Sequence, residues 1–130
     1  MKRDLELVRA LLLRLEDLSD KAHPILLIHK HDEEIQVEGF DQEQIGYHLY
    51  LLREAGLIAP AEGGTLSGGI QFTRLTWKGH DFIDSVRDPE VWAKTKAGAR
   101  QAGGFTIELL RDLAIGFIRK KVQDQTGIEL

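Results

Sequence analysis

The segment from Asp41 to Ile58, DQEQIGYHLYLLREAGLI, leaves the backbone few choices. Asp41 predicts a helix start, because its carboxylate can accept an orphan backbone N–H of the first turn. Ile45, Leu49 and Leu52 then recur at intervals of four and three, which places them on one helical face. Ala55 and Gly56 close the helix, since glycine tolerates the left-handed conformation that commonly ends one. Leu57 and Ile58 leave as the first residues of a strand. Whatever else the chain does, it must build around a capped helix that feeds directly into a sheet.

The flanking segments can be read in order. Leu5, Val8, Leu12 and Leu15, widened by Leu11 and Leu18, make an apolar stripe between Asp4 and Ser19. Pro24 stops that helix, and periodicity alone cannot assign Ile25 to Ile28. Ile35 and Val37 alternate with Gln36 and Glu38, which predicts a half-buried strand before Gly39. Strands are expected over Leu57 to Ala61 and over Ile70 to Leu75, joined by the glycine-rich tip GGTLSGG. That tip lacks the Gly-Lys-Ser/Thr ending of a phosphate-binding loop, so a plain hairpin turn is expected.

Beyond the hairpin, Thr76 predicts a cap for a helix from Trp77 to Val86 with Phe82, Ile83 and Val86 buried. Asp88-Pro89 predicts a restart, with Asp at the cap and Pro at the first helical position. This helix is expected to run to about Lys96, with Trp92 anchored in the core. Ala97 to Gly104 (AGARQAGG) reads as a linker of small residues. A final helix is expected from about Thr106 to Gln123, with Arg119, Lys120 and Lys121 near the C-terminal end that favours cations. The organisation implied is a core over 1–97, a linker over 98–104 and a C-terminal helix within 105–130, together one domain.

Composition narrows the function classes. With 130 residues, 42% hydrophobic and 29% charged, the chain suits one soluble globular domain. It has no Cys, which excludes disulfides, thiolate metal sites and cysteine nucleophiles. Asp4, Glu6 and Arg9 interrupt any signal-peptide core, and Leu11 to Leu13 falls far short of the roughly 20 apolar residues of a membrane span. A cytoplasmic location and no membrane partner are therefore expected. The net charge of −4 argues against a strongly basic nucleic-acid face. From His23 to Gly56, Lys30 and Arg53 stand against Asp32, Glu33, Glu34, Glu38, Asp41, Glu43 and Glu54, two charges against seven, a local net of −5.

The stretches MKRDLELVRALLLRLE, IGYHLYLLREAGLI, LTWKGHDFIDSVRDPEVWAKTK and ELLRDLAIGFIRKK together resemble an uncharacterised bacterial and bacteriophage family, catalogued as a domain of unknown function and similar to winged helices. The resemblance implies a compact winged-helix-like domain of cytoplasmic or phage origin, and it implies no activity. The pieces LREAGLI and LT-x-x-G also recur in winged-helix regulators, at about the same separation across the wing. In such a frame the helix ending at Gly56 is the second of a helix-turn-helix. A standard winged helix has a further helix where His23 to Phe40 reads as extended.

Candidate sites follow from that frame. At 100° per residue, Glu43, Tyr47, Tyr50 and Glu54 lie opposite the core face, with Gln44 and Arg53 at its edges. Gln44 can read adenine and Arg53 guanine, and tyrosines can bond phosphate, while Arg74 and Lys78 are expected to take phosphates of duplex DNA. Against this, Glu43 and Glu54 would face a polyanion, and the wing tip has no Lys or Arg. The competing expectation is that Tyr47 and Tyr50 pack against protein. Leu110, Leu113, Ala114, Phe117 and Ile118 form an apolar face that predicts either intramolecular packing or a homodimer interface.

Little points to chemistry. His29 and His31 flank Lys30 beside Asp32 and Glu33, but nothing supplies the three spaced ligands of a catalytic zinc, so a solvated turn is expected and no metal or cofactor. His48 and His80 are expected to be structural hydrogen-bonders. Ser19, Ser67 and Ser85 lack a nucleophile-elbow context, and an enzyme is not expected. The fold class expected is α+β, mainly α, a winged-helix-like domain with a β-hairpin wing and additional C-terminal helices. The function expected is a DNA-binding or regulatory module; the alternative is a protein–protein interaction module that self-associates without DNA.

Overall fold

The computed structural model describes residues 1–19, 25–60 and 69–130. His23, Pro24, Ser67 and all but the last glycine of the GGTLSGG tip lie outside the described residues. The fold is α+β and mainly α. In chain order come α1 (Leu5–Ser19), β1 (Leu26–His29), a 3-10 turn (Glu33–Ile35), α2 (Gln42–Glu54), β2 (Ile58–Ala59), β3 (Gly69–Phe72), β4 (Arg74–Leu75), α3 (Trp77–Val86), α4 (Pro89–Ala102) and α5 (Ile107–Thr126). Two compact units divide the chain, Met1–His80 and Asp81–Leu130.

In the first unit, α1 buries Leu5, Leu7, Val8, Leu11, Leu12 and Leu15, the expected stripe with Leu7 added. Each such leucine taken out of water contributes about 1.5–3 kcal/mol. Two short antiparallel pairs complete the unit, β1 with β3 and β2 with β4. The strand expected over Ile70 to Leu75 is divided at Thr73, whose N–H donates to the Ala59 carbonyl at 2.8 Å.

The strand expected across Ile35 to Glu38 does not form, and the reason is local. Asp32 accepts the His29 N–H at 2.9 Å, while the Gln36 amide donates to the carbonyls of Lys30 and Asp32 at 2.8 Å each. These side chains satisfy the backbone in a tight reversal, which competes successfully with a sheet ladder. Ile35 is buried from within the 3-10 turn.

In the second unit, Asp88 caps α4 through a bond from the Val91 N–H at 2.9 Å, with Pro89 in the first turn. Trp92 is 3% exposed, as the core expectation required. The helix does not stop at Lys96. Ala97 to Ala102, most of the linker expected over Ala97 to Gly104, is its last part, because alanine, arginine and glutamine favour helix. The cap is Gly103, in the left-handed region at φ 78°. Gly98 sits inside the helix on the side facing α5, where a Cβ would lie 3.6 Å from Leu113 Cδ1. Thr106 caps α5, which runs to Thr126, so Arg119 to Lys121 fall short of its last turn.

Candidate functional site

The exposed side of α2 is positioned by three local devices. Asp41 and Gln44 form a capping box: the Asp41 carboxylate accepts the Gln44 N–H at 2.8 Å, and Gln44 Oε1 accepts the Asp41 N–H at 2.9 Å. Ile45, Leu49 and Leu52 are buried as the spacing requires. His48 is buried with them and joins two helices. Its Nε2 accepts the Asp4 backbone N–H at 2.8 Å, so Nδ1 carries the proton and donates to the Gln44 carbonyl at 2.8 Å. Both ring nitrogens are used, which fixes the rotation of α2 against the start of α1.

With that rotation fixed, Tyr47 and Tyr50 are exposed. Tyr47 meets the His48 ring edge-on, with centroids 5.8 Å apart. Arg53 is only 9% exposed, and its guanidinium lies 4.6 Å from the Tyr50 ring centroid. Residues three apart on a helix are neighbours, and a guanidinium over an aromatic face is attracted to the ring quadrupole. The arginine is thus engaged on the tyrosine beside it. On the same helix Glu43 pairs with Lys30, Nζ to Oε1 2.5 Å.

The other expected cations are also locally engaged. Arg74 NH1 donates to the Leu75 carbonyl at 3.2 Å, and Lys78 Nζ to the Ala55 carbonyl at 3.3 Å. Gln44 has its oxygen occupied by the cap. The six residues expected to read DNA are therefore split: Tyr47 and Tyr50 stand outward, while Gln44, Arg53, Arg74 and Lys78 each hold an acceptor, a donor or a ring within the chain. The unit that carries them has nine basic against thirteen acidic residues, a net of −4.

Periodicity could not reveal what the LTWKG motif does. Thr76 donates its hydroxyl to the Gly56 carbonyl at 2.5 Å and accepts the Gly79 N–H at 3.1 Å, while its own N–H donates to the Leu57 carbonyl at 3.0 Å. A Cβ on Gly79 would fall 2.1 Å from that same Leu57 oxygen. Gly56 itself has φ 72°, the left-handed region expected of it. Ala55-Gly56-Leu57 and Thr76 to Gly79 thus form one corner, where helix end, sheet and next helix share their caps. Thr76 and Gly79 are its organising residues; the fixed separation of LREAGLI from LT-x-x-G was the available signal. Trp77, at the same corner, is 84% exposed.

The remaining candidates are placed plainly. Leu110 and Ala114 are buried, whereas Leu113, Phe117 and Ile118 are half-buried. Leu113 and Phe117 come closest to the Gly98 position of α4. His29 and His31 stack with centroids 5.2 Å apart, and among the described residues no three or more His, Asp or Glu are arranged to hold a metal. Ser19 and Ser85 donate their hydroxyls to the carbonyls of Glu16 and Phe82. His80 lies 3.7 Å from the Glu16 carboxylate. Among the described residues no helix is long and apolar enough to cross a membrane.

Comparison with known proteins gives a family and no activity. A family described as "Hypothetical protein (DUF2513)" matches over residues 2–105. An uncharacterized protein of Haemophilus influenzae is 36% identical over 97 residues, covering 74% of this chain and 76% of the relative. No solved structure matches.

Proposed function

The chain belongs to the DUF2513 family of hypothetical proteins, and we propose that it is a winged-helix-like regulatory module whose α2 surface docks a protein. The order α1, β1, turn, α2, β2, β3–β4 supports the winged-helix reading, with the 3-10 turn standing where a standard member has a helix. One observation carries the protein reading: Arg53 is folded onto Tyr50 while Tyr47 and Tyr50 remain exposed beside Glu43 and Glu54. Exposed tyrosines are favoured anchors in protein interfaces, and an acidic surface lacks the phosphate neutralisation on which duplex affinity depends. The module carries no chemistry of its own in this reading.

Duplex DNA is the second reading, favoured by Arg74 and Lys78, which are exposed and have no carboxylate partner among the described residues. A titration of a random duplex pool at low salt, run beside affinity capture scored for protein and DNA, separates the two. Capture of protein that Tyr47→Ala and Tyr50→Ala abolish, with no duplex shift, supports docking. Salt-steep duplex binding that Arg74→Ala and Lys78→Ala remove would replace it with the DNA reading.

A further inference from the structure

A second surface lies on the first unit, along the outer edge of β1. The hydrogen-bond phase of this strand can be worked out. His29 donates its N–H to Asp32 Oδ2 at 2.9 Å and accepts the Asp32 N–H at 3.0 Å, so both its backbone groups turn away from β3. Successive residues of a strand point their backbone groups to opposite edges. The register pairs Leu26 with Phe72 and Ile28 with Ile70. Those two residues therefore bond β3, and Leu27, like His29, directs its N–H and C=O outward. Among the described residues no strand pairs with that edge.

The edge is not blunted by charge on its own side chains. Leu27 is 45% exposed and Ile25 is 62% exposed, two residues apart and so on one face. Exposed apolar residues on an unpaired edge are a template for another strand, which proteins otherwise avoid. Against the strand lies a cavity of about 150 Å³, room for one aliphatic side chain, walled by Leu18, Leu26, Leu27, Ile28 and Ile35. Asp32 and Glu34 complete its lining, and no basic residue lines it. Lys30, the nearest cation in sequence, is paired with Glu43.

We propose that β1 accepts an extended segment of a partner protein as an added strand, with an apolar side chain flanked by basic ones on the face that meets the cavity. The partner's backbone bonds the N–H and C=O of Leu27, the apolar side chain enters the cavity, and its basic side chains face Asp32 and Glu34. This is recognition by strand addition, in which backbone bonds give affinity and alternate side chains give specificity. The carboxylates select the occupant: a second copy of this acidic strand end would bring like charges together.

The test uses the full chain and a fluorescein-labelled Lys–Leu heptapeptide, Thr-Lys-Thr-Leu-Thr-Lys-Thr, whose Lys and Leu share one strand face, with Thr-Glu-Thr-Leu-Thr-Glu-Thr as its Glu–Leu counterpart, read by anisotropy. Proline at position 27 removes the outward donor without touching the ladder to β3, a position where edge strands tolerate it. Leu27→Pro is expected to keep its circular dichroism and bind the Lys–Leu peptide about tenfold more weakly. Glu34→Lys is expected to weaken the Lys–Leu peptide and favour the Glu–Leu one. The proposal is overturned by a Lys–Leu peptide that fails to saturate at about 1 mM, by equal binding of both peptides, or by binding indifferent to Leu27→Pro. It is equally overturned if Leu27→Pro unfolds, because the free-edge assignment is then wrong, or if light scattering shows a dimer that Leu27→Pro dissolves, because a second copy then fills the edge.

Discussion

Replacing Gly79 with alanine tests the corner that joins α2, the sheet and α3. In an exposed helix position the change would stabilise, since alanine exceeds glycine by about 1 kcal/mol in helix propensity. Here the new Cβ falls 2.1 Å from the Leu57 oxygen, whereas ordinary contact begins at 3.4 Å, so the two must separate by a further 1.3 Å. The obstacle is backbone and cannot rotate aside. The same oxygen accepts the Thr76 N–H at 3.0 Å, and a shift of that size breaks this bond and strains the Thr76 bond to Gly56. Overpacking costs about 1–3 kcal/mol and each lost hydrogen bond about 1, less the gain in propensity. The expected net loss is about 1–3 kcal/mol, or roughly 5–10 °C in Tm for a chain of this size. Gly116 of α5 is the control, because a Cβ there would meet nothing within 4 Å. Gly116→Ala should raise the midpoint slightly. Thermal melts of both variants by circular dichroism decide the matter: a Gly79→Ala midpoint at or above that of Gly116→Ala refutes the reasoning.

Three further outcomes are expected. Trp92→Ala should cost about 3–5 kcal/mol in urea denaturation, whereas Trp77→Ala, 84% exposed, should leave the midpoint within about 0.5 kcal/mol; equal effects would overturn the burial assignment. His48→Phe leaves the Asp4 N–H without its acceptor and removes the ring's bond to the Gln44 carbonyl, and should lower stability by about 1–3 kcal/mol. A neutral result there would mean the imidazole does not join the two helices. Phe117→Glu places a charge beside Gly98 of α4; light scattering and a melt on the same sample distinguish a destabilised monomer, the outcome expected from intramolecular cover, from a dimer turned into a stable monomer.

What could be read from the residues was mostly what a few neighbours decide. Asp41, Thr76 and Asp88-Pro89 are helix starts because their chemistry satisfies N–H groups within three residues, and all three cap as expected; Thr106, expected only as the start of the last helix, caps it as well. The errors arose where a side chain acts outside its periodic role. Gln36 reads as the polar half of a strand alternation, yet its amide reaches back to two carbonyls and holds a turn. Gly98 reads as a helix breaker, yet it lies in a helix and faces Leu113. Arg53 sits at the edge of the groove-facing arc on a helical wheel, and only side-chain geometry shows it lying on Tyr50.

The α2 face brings these threads to a point. The proposed winged-helix reading and an acidic surface carry opposite expectations, and pattern alone weighs them by frequency. Geometry weighs them by what each charge is already doing. Lys30 is held by Glu43, Arg53 by Tyr50, and Lys78 by the carbonyl at the end of α2. Releasing these for phosphate would leave Glu43 unpaired, take the guanidinium from the Tyr50 ring and leave the Ala55 carbonyl to water. Each exchange loses a local interaction before any counterion release is gained. A protein partner requires none of these exchanges, because Tyr47 and Tyr50 already stand outward with Arg53 stiffening the second of them. The difference is measurable on one variant: Arg53→Met keeps the aliphatic cover of Tyr50 and removes the charge, so it should leave protein capture largely intact, whereas a duplex contact through Arg53 would be lost with it.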